Sequence, residues 1–382
     1  MSASTPALAR ISSLQPKNAC PRSRVGDRIN NIQGLRAVAA MAVVFFHSGF
    51  VFPGLQPFGS FGVAIFFVIS GYLMAMLCEK QPDAFLRKRF IRIVPPYWAF
   101  TLLLFAVALR YPLLLKTTRP DAVELVKSLL FIPFTKSSGI MEPVLFLGWT
   151  LNYEMFFYVV VGLCLLVTRR YAWLLSCGVL AAIVVVCRLF GTGDVAWFYS
   201  RGLIFEFVAG IACYFLSSRM PWICAIQVRL PLVAAIVASL SGMIYIQGTN
   251  VQLPMPSSLA IGFLAFVIVL SATSLSKTGW DIRIRAVVML GDASYLLYLV
   301  HPYIEASLHR FAVHRSPWLA PEFAFGCLLS MAICAVVSVV LHVKVERPVI
   351  KLLNQLLLPA SVQLNPQQQK RFLPTCVPNP AR

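Results

Sequence analysis

Ten apolar stretches follow one another along the chain, at about 32–50, 58–78, 93–110, 144–167, 171–190, 201–217, 230–247, 257–275, 286–305 and 323–343. A helix needs about 20 apolar residues, at about 1.5 Å of rise each, to cross the hydrocarbon core of a bilayer. Each stretch approaches or reaches that length. In lipid every backbone N–H and C=O must find its partner within the protein, so stretches of this kind become helices. A mean hydropathy of +0.77 with only 12% charged residues lies outside the range of soluble domains. The expected fold is all-α, a polytopic membrane protein of about ten transmembrane helices.

The formal net charge of +19 does not mark a nucleic-acid binder, because the basic residues are spread through the tails and short joints between apolar runs. They read as topology signals. Arg10, Lys17, Arg22, Arg24 and Arg28 precede the first span, and Lys80, Arg87, Lys88, Arg89 and Arg92 follow the second. The joints at 168–170, 219–229, 277–285 and 344–351 fall on the same side, whereas 191–194 and 247–258 fall opposite. Positive charge stays inside, so both termini and the Arg87–Arg92 loop are expected to be cytoplasmic. Residues 1–30 read as a basic disordered cytoplasmic tail without a cleavable signal, and 349–382 as a polar carboxyl-terminal tail.

Two basic segments depart from the charge rule. One is 111–143, where Val123, Val126, Leu129 and Leu130 recur at helical spacing, as in a piece lying in the membrane interface. The other carries His309, Arg310, His314 and Arg315, where an anionic acceptor would find contacts. Cys164, Cys177, Cys187, Cys213, Cys327 and Cys334 fall inside apolar runs, with no pair at the two-residue spacing of a metal or redox site. No metal and no disulfide framework is expected.

The first span, IQGLRAVAAMAVVFFHSGF, carries Arg36 and His47 eleven positions apart. Eleven steps come to almost three turns, so both project from one helix face about 16 Å apart. Ionisable groups at membrane depth are costly, by about 3 kcal/mol or more, and are kept for a reason. Histidine, with an ordinary pKa of about 6.5, can take a proton from a hydroxyl and return it near neutral pH. Glu154 lies near the middle of the fourth span, one turn beyond Thr150. It either orients the protonated form of a histidine or forms an ion pair with an arginine such as Arg36. His301 either joins the chemistry or is a polar group at a helix break imposed by Pro302. The cluster Arg87, Lys88, Arg89 and Arg92 suits bidentate bonding to phosphate, or else pairs with anionic lipid as an orientation signal. Gly59, Gly62 and Gly71 read as close helix contacts, and Glu206 as a structural group.

These features recur as a set: Arg36 and His47 with ten residues between, FGSFGVAIFFVISGYLM at 58–74, FLRKRFIRIVPPYW at 85–98, GWTLNYEMFFY at 148–158, GDASYLLYLVHPYI at 291–304 and VERP at 345–348. In this order they resemble the acyltransferase 3 family of integral membrane acyltransferases. The resemblance implies a transmembrane acyltransferase domain over 31–348 in a bacterial inner membrane. It would move an acyl group, often acetyl, from cytoplasmic acyl-coenzyme A to a hydroxyl of an exopolysaccharide, lipopolysaccharide or lipid-linked oligosaccharide. His47, Arg36 and Glu154 would be catalytic, Arg89, Arg92 and Lys88 would hold coenzyme A, and His301 would contact substrate. Acyl-coenzyme A, probably acetyl-coenzyme A, would be the donor substrate, with no permanently bound cofactor. Two other readings are a proton-coupled transporter or glycan exporter relaying protons through His47 and Glu154, and a non-catalytic partner of a polysaccharide assembly complex.

Overall fold

Apolar runs joined by short polar turns can bury their backbone polarity only as helices and their polar side chains only against one another. The computed structural model describes residues 29–80, 85–111, 120–219, 226–249 and 251–357, and its regular elements are helical apart from an isolated bridge between Thr135 and Met141. In chain order they are α1 (Asn30–His47), α2 (Gly62–Lys80), α3 (Phe85–Arg110), α4 (Ala122–Leu129), α5 (Gly148–Val167), α6 (Ala172–Phe190) and α7 (Gly193–Tyr199). There follow α8 (Ile204–Arg219), α9 (Arg229–Thr249), α10 (Ser257–Lys277), α11 (Arg285–Asp292), α12 (Ser294–Arg315), α13 (Ala324–Leu341) and α14 (Arg347–Leu357). Among the described residues eight helical segments are long and apolar enough to cross a membrane, and α11 with α12 makes a ninth, bent by 76°. The remaining expected span is α1, whose Asn31, Gln33, Arg36 and His47 lower its hydropathy. The protein is a multi-pass membrane protein. The tails expected at 1–30 and 349–382 lie almost wholly outside the described residues, except that α14 carries helix through 349–357.

Helix α1 is the most enclosed element, packed against α2, α10, α11, α12 and α13. Its start is pinned by Asn31, whose Nδ2 donates to the carbonyls of Ala272 at 3.0 Å and Trp280 at 2.9 Å, while its Oδ1 accepts from the Ile282 N–H at 2.9 Å. Small residues allow the close approaches. A Cβ at Gly62 would run into the Ala39 carbonyl, and a Cβ at Gly71 would run into the Phe207 carbonyl and Gly210 of α8. The glycines of the second span are therefore contact points between helices. Gly71→Val is expected to separate α2 from α8 and abolish the monodisperse peak of detergent-extracted protein on size-exclusion chromatography. A wild-type profile would show that the two backbones need not touch.

Two local features aim the site. Helix α12 runs unbroken through Pro302, and the chain bends instead at Ala293 between α11 and α12, which corrects the expected break at His301. Intramembrane helices carry proline where neighbouring groups satisfy the freed carbonyl. Beyond α13, residues His342–Glu346 form a π-helical turn. There His342 Nδ1 meets Glu346 at 2.6 Å, Arg347 Nε donates to His342 Nε2 at 3.0 Å, and the Arg347 guanidinium reaches Asp292 at 3.5 Å. The VERP segment thus ties α13 to the end of α11, just before the bend.

The 111–143 segment contains α4, opened by Asp121, whose carboxylate accepts the N–H groups of Val123 and Glu124. Glu124 and Ser128 face the protein, while Val123, Val126 and Leu130 are exposed. An apolar face turned away from the protein suits the membrane interface.

Candidate active site

Two cavities open beside α1, and its two ionisable residues line different ones. The first, a cleft enclosing about 740 Å³ including its mouth, is walled by α1, α2, α3, α5 and α12. Arg36, Arg89 and Arg92 supply three guanidinium groups, and Glu154 the carboxylate. Arg36 is only 8% exposed, yet its one hydrogen bond among the described residues is to Gln33 Oε1, at 3.5 Å. Arg89 lies over the Tyr158 ring, 5.7 Å from its centroid. Glu154 accepts from Ser70 Oγ at 2.9 Å and from the Tyr158 hydroxyl one turn further along α5. Three cations facing one carboxylate, with free guanidinium donors, make a place for an anion such as phosphate.

The second cavity, of about 610 Å³ including its mouth, is lined by His47, Ser48, Phe146, Glu305, His309 and Glu322 among others. His47 Nδ1 stands 2.9 Å from the Val43 carbonyl and 3.3 Å from His301 Nε2. A carbonyl can only accept, so Nδ1 of His47 carries a proton. By the same reasoning His301 Nδ1, 3.2 Å from the Leu297 carbonyl, carries its own proton and leaves Nε2 to accept from His47. This tautomer pair turns the lone pair on His47 Nε2 toward the cavity. Nε2 has no hydrogen-bond partner among the described residues.

The wall between the cavities is thin and polar. Tyr298 lines the cleft, its hydroxyl 2.9 Å from Thr150 Oγ1, and its ring centroid is 6.0 Å from that of His301. His301, 0% exposed, is in turn 5.0 Å from His47, ring to ring. Tyr298, His301 and His47 therefore form a continuous line from the arginine cleft to the histidine pocket.

The structure brings together Arg36, Arg89, Arg92 and Glu154 in one place and His47 with His301 in another. It does not pair Glu154 with His47, because Ser70 and Tyr158 hold the carboxylate on the cleft side. Nor does it pair Glu154 with Arg36 within ion-pair distance. His301 lines neither cavity and backs His47 from behind, so substrate contact is replaced by a supporting position. Lys88 is partly buried at the start of α3 but does not line the cleft. Ser70, Tyr158, Tyr298 and Glu305 were not singled out from sequence, since only Glu305 is charged. Two of the four have a readable signal, because Tyr158 and Glu305 stand four residues beyond Glu154 and His301 and so share their helix faces.

A protein-family model described as an acyltransferase domain matches residues 29–339. The chain is 32% identical over 302 residues to the exopolysaccharide production protein ExoZ of Rhizobium meliloti (strain 1021), covering 77% of this chain and 90% of that protein. It is 28% identical over 369 residues to the putative membrane-bound transacylase BcsY of Komagataeibacter xylinus, covering 90% and 87%. It is 25% identical over 379 residues to the acyltransferase MdmB of Streptomyces mycarofaciens, covering 86% and 93%. No solved structure matches it significantly.

Proposed function

This chain belongs to the acyltransferase domain family, and from that premise we propose that it moves an acyl group, acetyl in the simplest case, from cytoplasmic acyl-coenzyme A to a hydroxyl of a cell-surface or lipid-linked glycan. The observation that carries this reading is the pair of cavities, one cationic and one holding His47, with only Tyr298 and His301 between them. The similarity to an exopolysaccharide production protein supports a glycan as acceptor. In a bacterial inner membrane with both termini cytoplasmic, the positive-inside rule puts the arginine cleft on the side where coenzyme A is found.

In this scheme Arg36, Arg89 and Arg92 bind the donor's phosphates, and Glu154 balances their charge and keeps them apart. The acyl end of the donor reaches past Tyr298 toward His47. His47 Nε2 takes the proton of the acceptor hydroxyl as its oxygen bonds to the thioester carbonyl. The hydroxyls of Tyr298 and Thr150 are placed to donate to the oxyanion that forms. Cleavage of the carbon–sulfur bond expels the coenzyme A thiolate, which takes the proton from His47 and restores the base. His301, through its bond to His47 Nδ1, holds the tautomer this requires. A proton relay joining His47 to Glu154, the basis of the transporter reading, would have to cross the wall, because each has its own partners in its own cavity.

Mass spectrometry of surface and lipid-linked glycans from cells with and without the protein tests this function. An ester-linked acyl group present only with the protein is expected, and identical glycan masses would refute it. On the donor side, Arg89→Ala and Arg92→Ala are each expected to weaken acetyl-coenzyme A binding by about tenfold, since a bond to a charged group contributes about 1.5 kcal/mol or more. A binding isotherm on purified protein gives the answer. Unchanged affinity in both would assign these arginines to anionic lipid.

A further inference from the structure

The scheme above leaves one buried group of the histidine pocket unused. Glu305 stands one turn beyond His301 on α12, lines the pocket with His47, and is only 7% exposed. Its Oε1 is fully enclosed and has no hydrogen-bond partner among the described residues. A buried carboxylate oxygen left unmet is costly and rare in native proteins, and one facing a cavity is ready for a ligand's donor. The other polar groups around it are engaged. Ser48 Oγ donates to the Phe45 carbonyl at 2.7 Å, and His309 is paired with Glu322 at 3.1 Å nearer the surface. Phe146 and Pro302 complete an apolar floor.

We propose that Glu305 is the acceptor-binding residue of this pocket, and that its acceptor is a neutral polyhydroxylated molecule, one hydroxyl facing His47 and a second donating to Glu305 Oε1. The inference rests on transfer to a hydroxyl, the reading given above, and adds the class of acceptor. An acceptor bearing a carboxylate or phosphate would bring its charge against Glu305 and Glu322 in a site with little water, and like charges brought together discriminate strongly. The cationic residues expected to attract an anionic acceptor do not supply that attraction here. His309 is held by Glu322, and Arg310 does not line the pocket.

The test uses the full-length protein in proteoliposomes, acetyl-coenzyme A as donor, and two soluble probes of equal length, neutral cellotetraose and anionic tetragalacturonate, with products counted by mass spectrometry. Wild type is expected to acetylate cellotetraose at least about tenfold more efficiently than tetragalacturonate. Glu305→Ala is expected to raise the half-saturating cellotetraose concentration by about tenfold, in proportion to one bond to a charged group, moving that concentration more than the maximal rate. Glu305→Gln keeps the shape and an acceptor oxygen without the charge, so it is expected to restore cellotetraose use and narrow the preference against tetragalacturonate. Unchanged half-saturation in Glu305→Ala, or a wild-type preference for tetragalacturonate, would overturn the assignment and leave acyl transfer standing. No transfer by wild type to either probe or to native glycan would overturn both.

Discussion

His47→Ala lowers acyl transfer by about 10² to 10⁴, the usual loss on removing a general base, in protein that still inserts and extracts like wild type. His47 sits at the end of α1 beside a cavity, partly exposed, so its ring is not a keystone of the packing that Ala39, Ala40, Val43 and Val44 provide. The rate loss is specific to the lone pair on Nε2. His301→Ala, which leaves His47 in place but removes the acceptor for its Nδ1 proton, is expected to cost less and to shift the pH profile of the maximal rate. Transfer should be measured at matched protein levels in reconstituted membranes. Near wild-type turnover in His47→Ala would remove the base from the scheme. A stable acyl adduct on His47 in single-turnover mass spectrometry would replace base catalysis with a covalent intermediate.

Arg36→Ala is expected to weaken acetyl-coenzyme A binding by about 10²-fold, the value of two charge-assisted bonds to one phosphate at about 1.5 kcal/mol each. Arg36→Lys, which keeps the charge without the planar fork, should recover only part of it. The stability readout separates this role from a structural one. Arg36 is buried in the membrane region with one long hydrogen bond and no ion pair within 4 Å among the described residues. A buried charge so poorly matched by its own protein destabilises the empty state. Arg36→Ala is therefore expected to hold or raise the melting temperature without donor and to lose the rise that donor produces. A fall in the melting temperature of the empty protein would instead mark Arg36 as part of the fold.

The membrane architecture was legible because bilayer thickness leaves little choice. Each of the ten apolar runs contains a helix, including α1, which Asn31 and Arg36 make too polar to pass on hydropathy alone. The same economy made the glycines readable, since Gly62 and Gly71 lie where helices touch. Periodicity on one helix could not give the partition of the site. Arg36 and His47 share a face of α1, as their spacing requires, but the face is long enough to pass two cavities. What divides them is Tyr298 and His301, brought to α1 by α12 from more than two hundred residues away, and no local pattern encodes that meeting. Glu154 illustrates the same limit. Its depth was evident, but Ser70 of α2 decides which side of the wall its carboxylate occupies. Pro302 shows the converse, a strong local signal overridden because tertiary contacts carry α12 straight through it.

The most direct test of a donor cleft and an acceptor pocket on opposite sides of one wall is transfer across a sealed membrane. Protein reconstituted in a single orientation would be given acetyl-coenzyme A on one face and the acceptor glycan on the other, and ester formation measured for each of the four placements. The expected result is product when donor is on the face where α1 begins and acceptor is on the face where α1 ends, with little in the reversed placement or with both on one face. Product formed only when both are on the same face would contradict it.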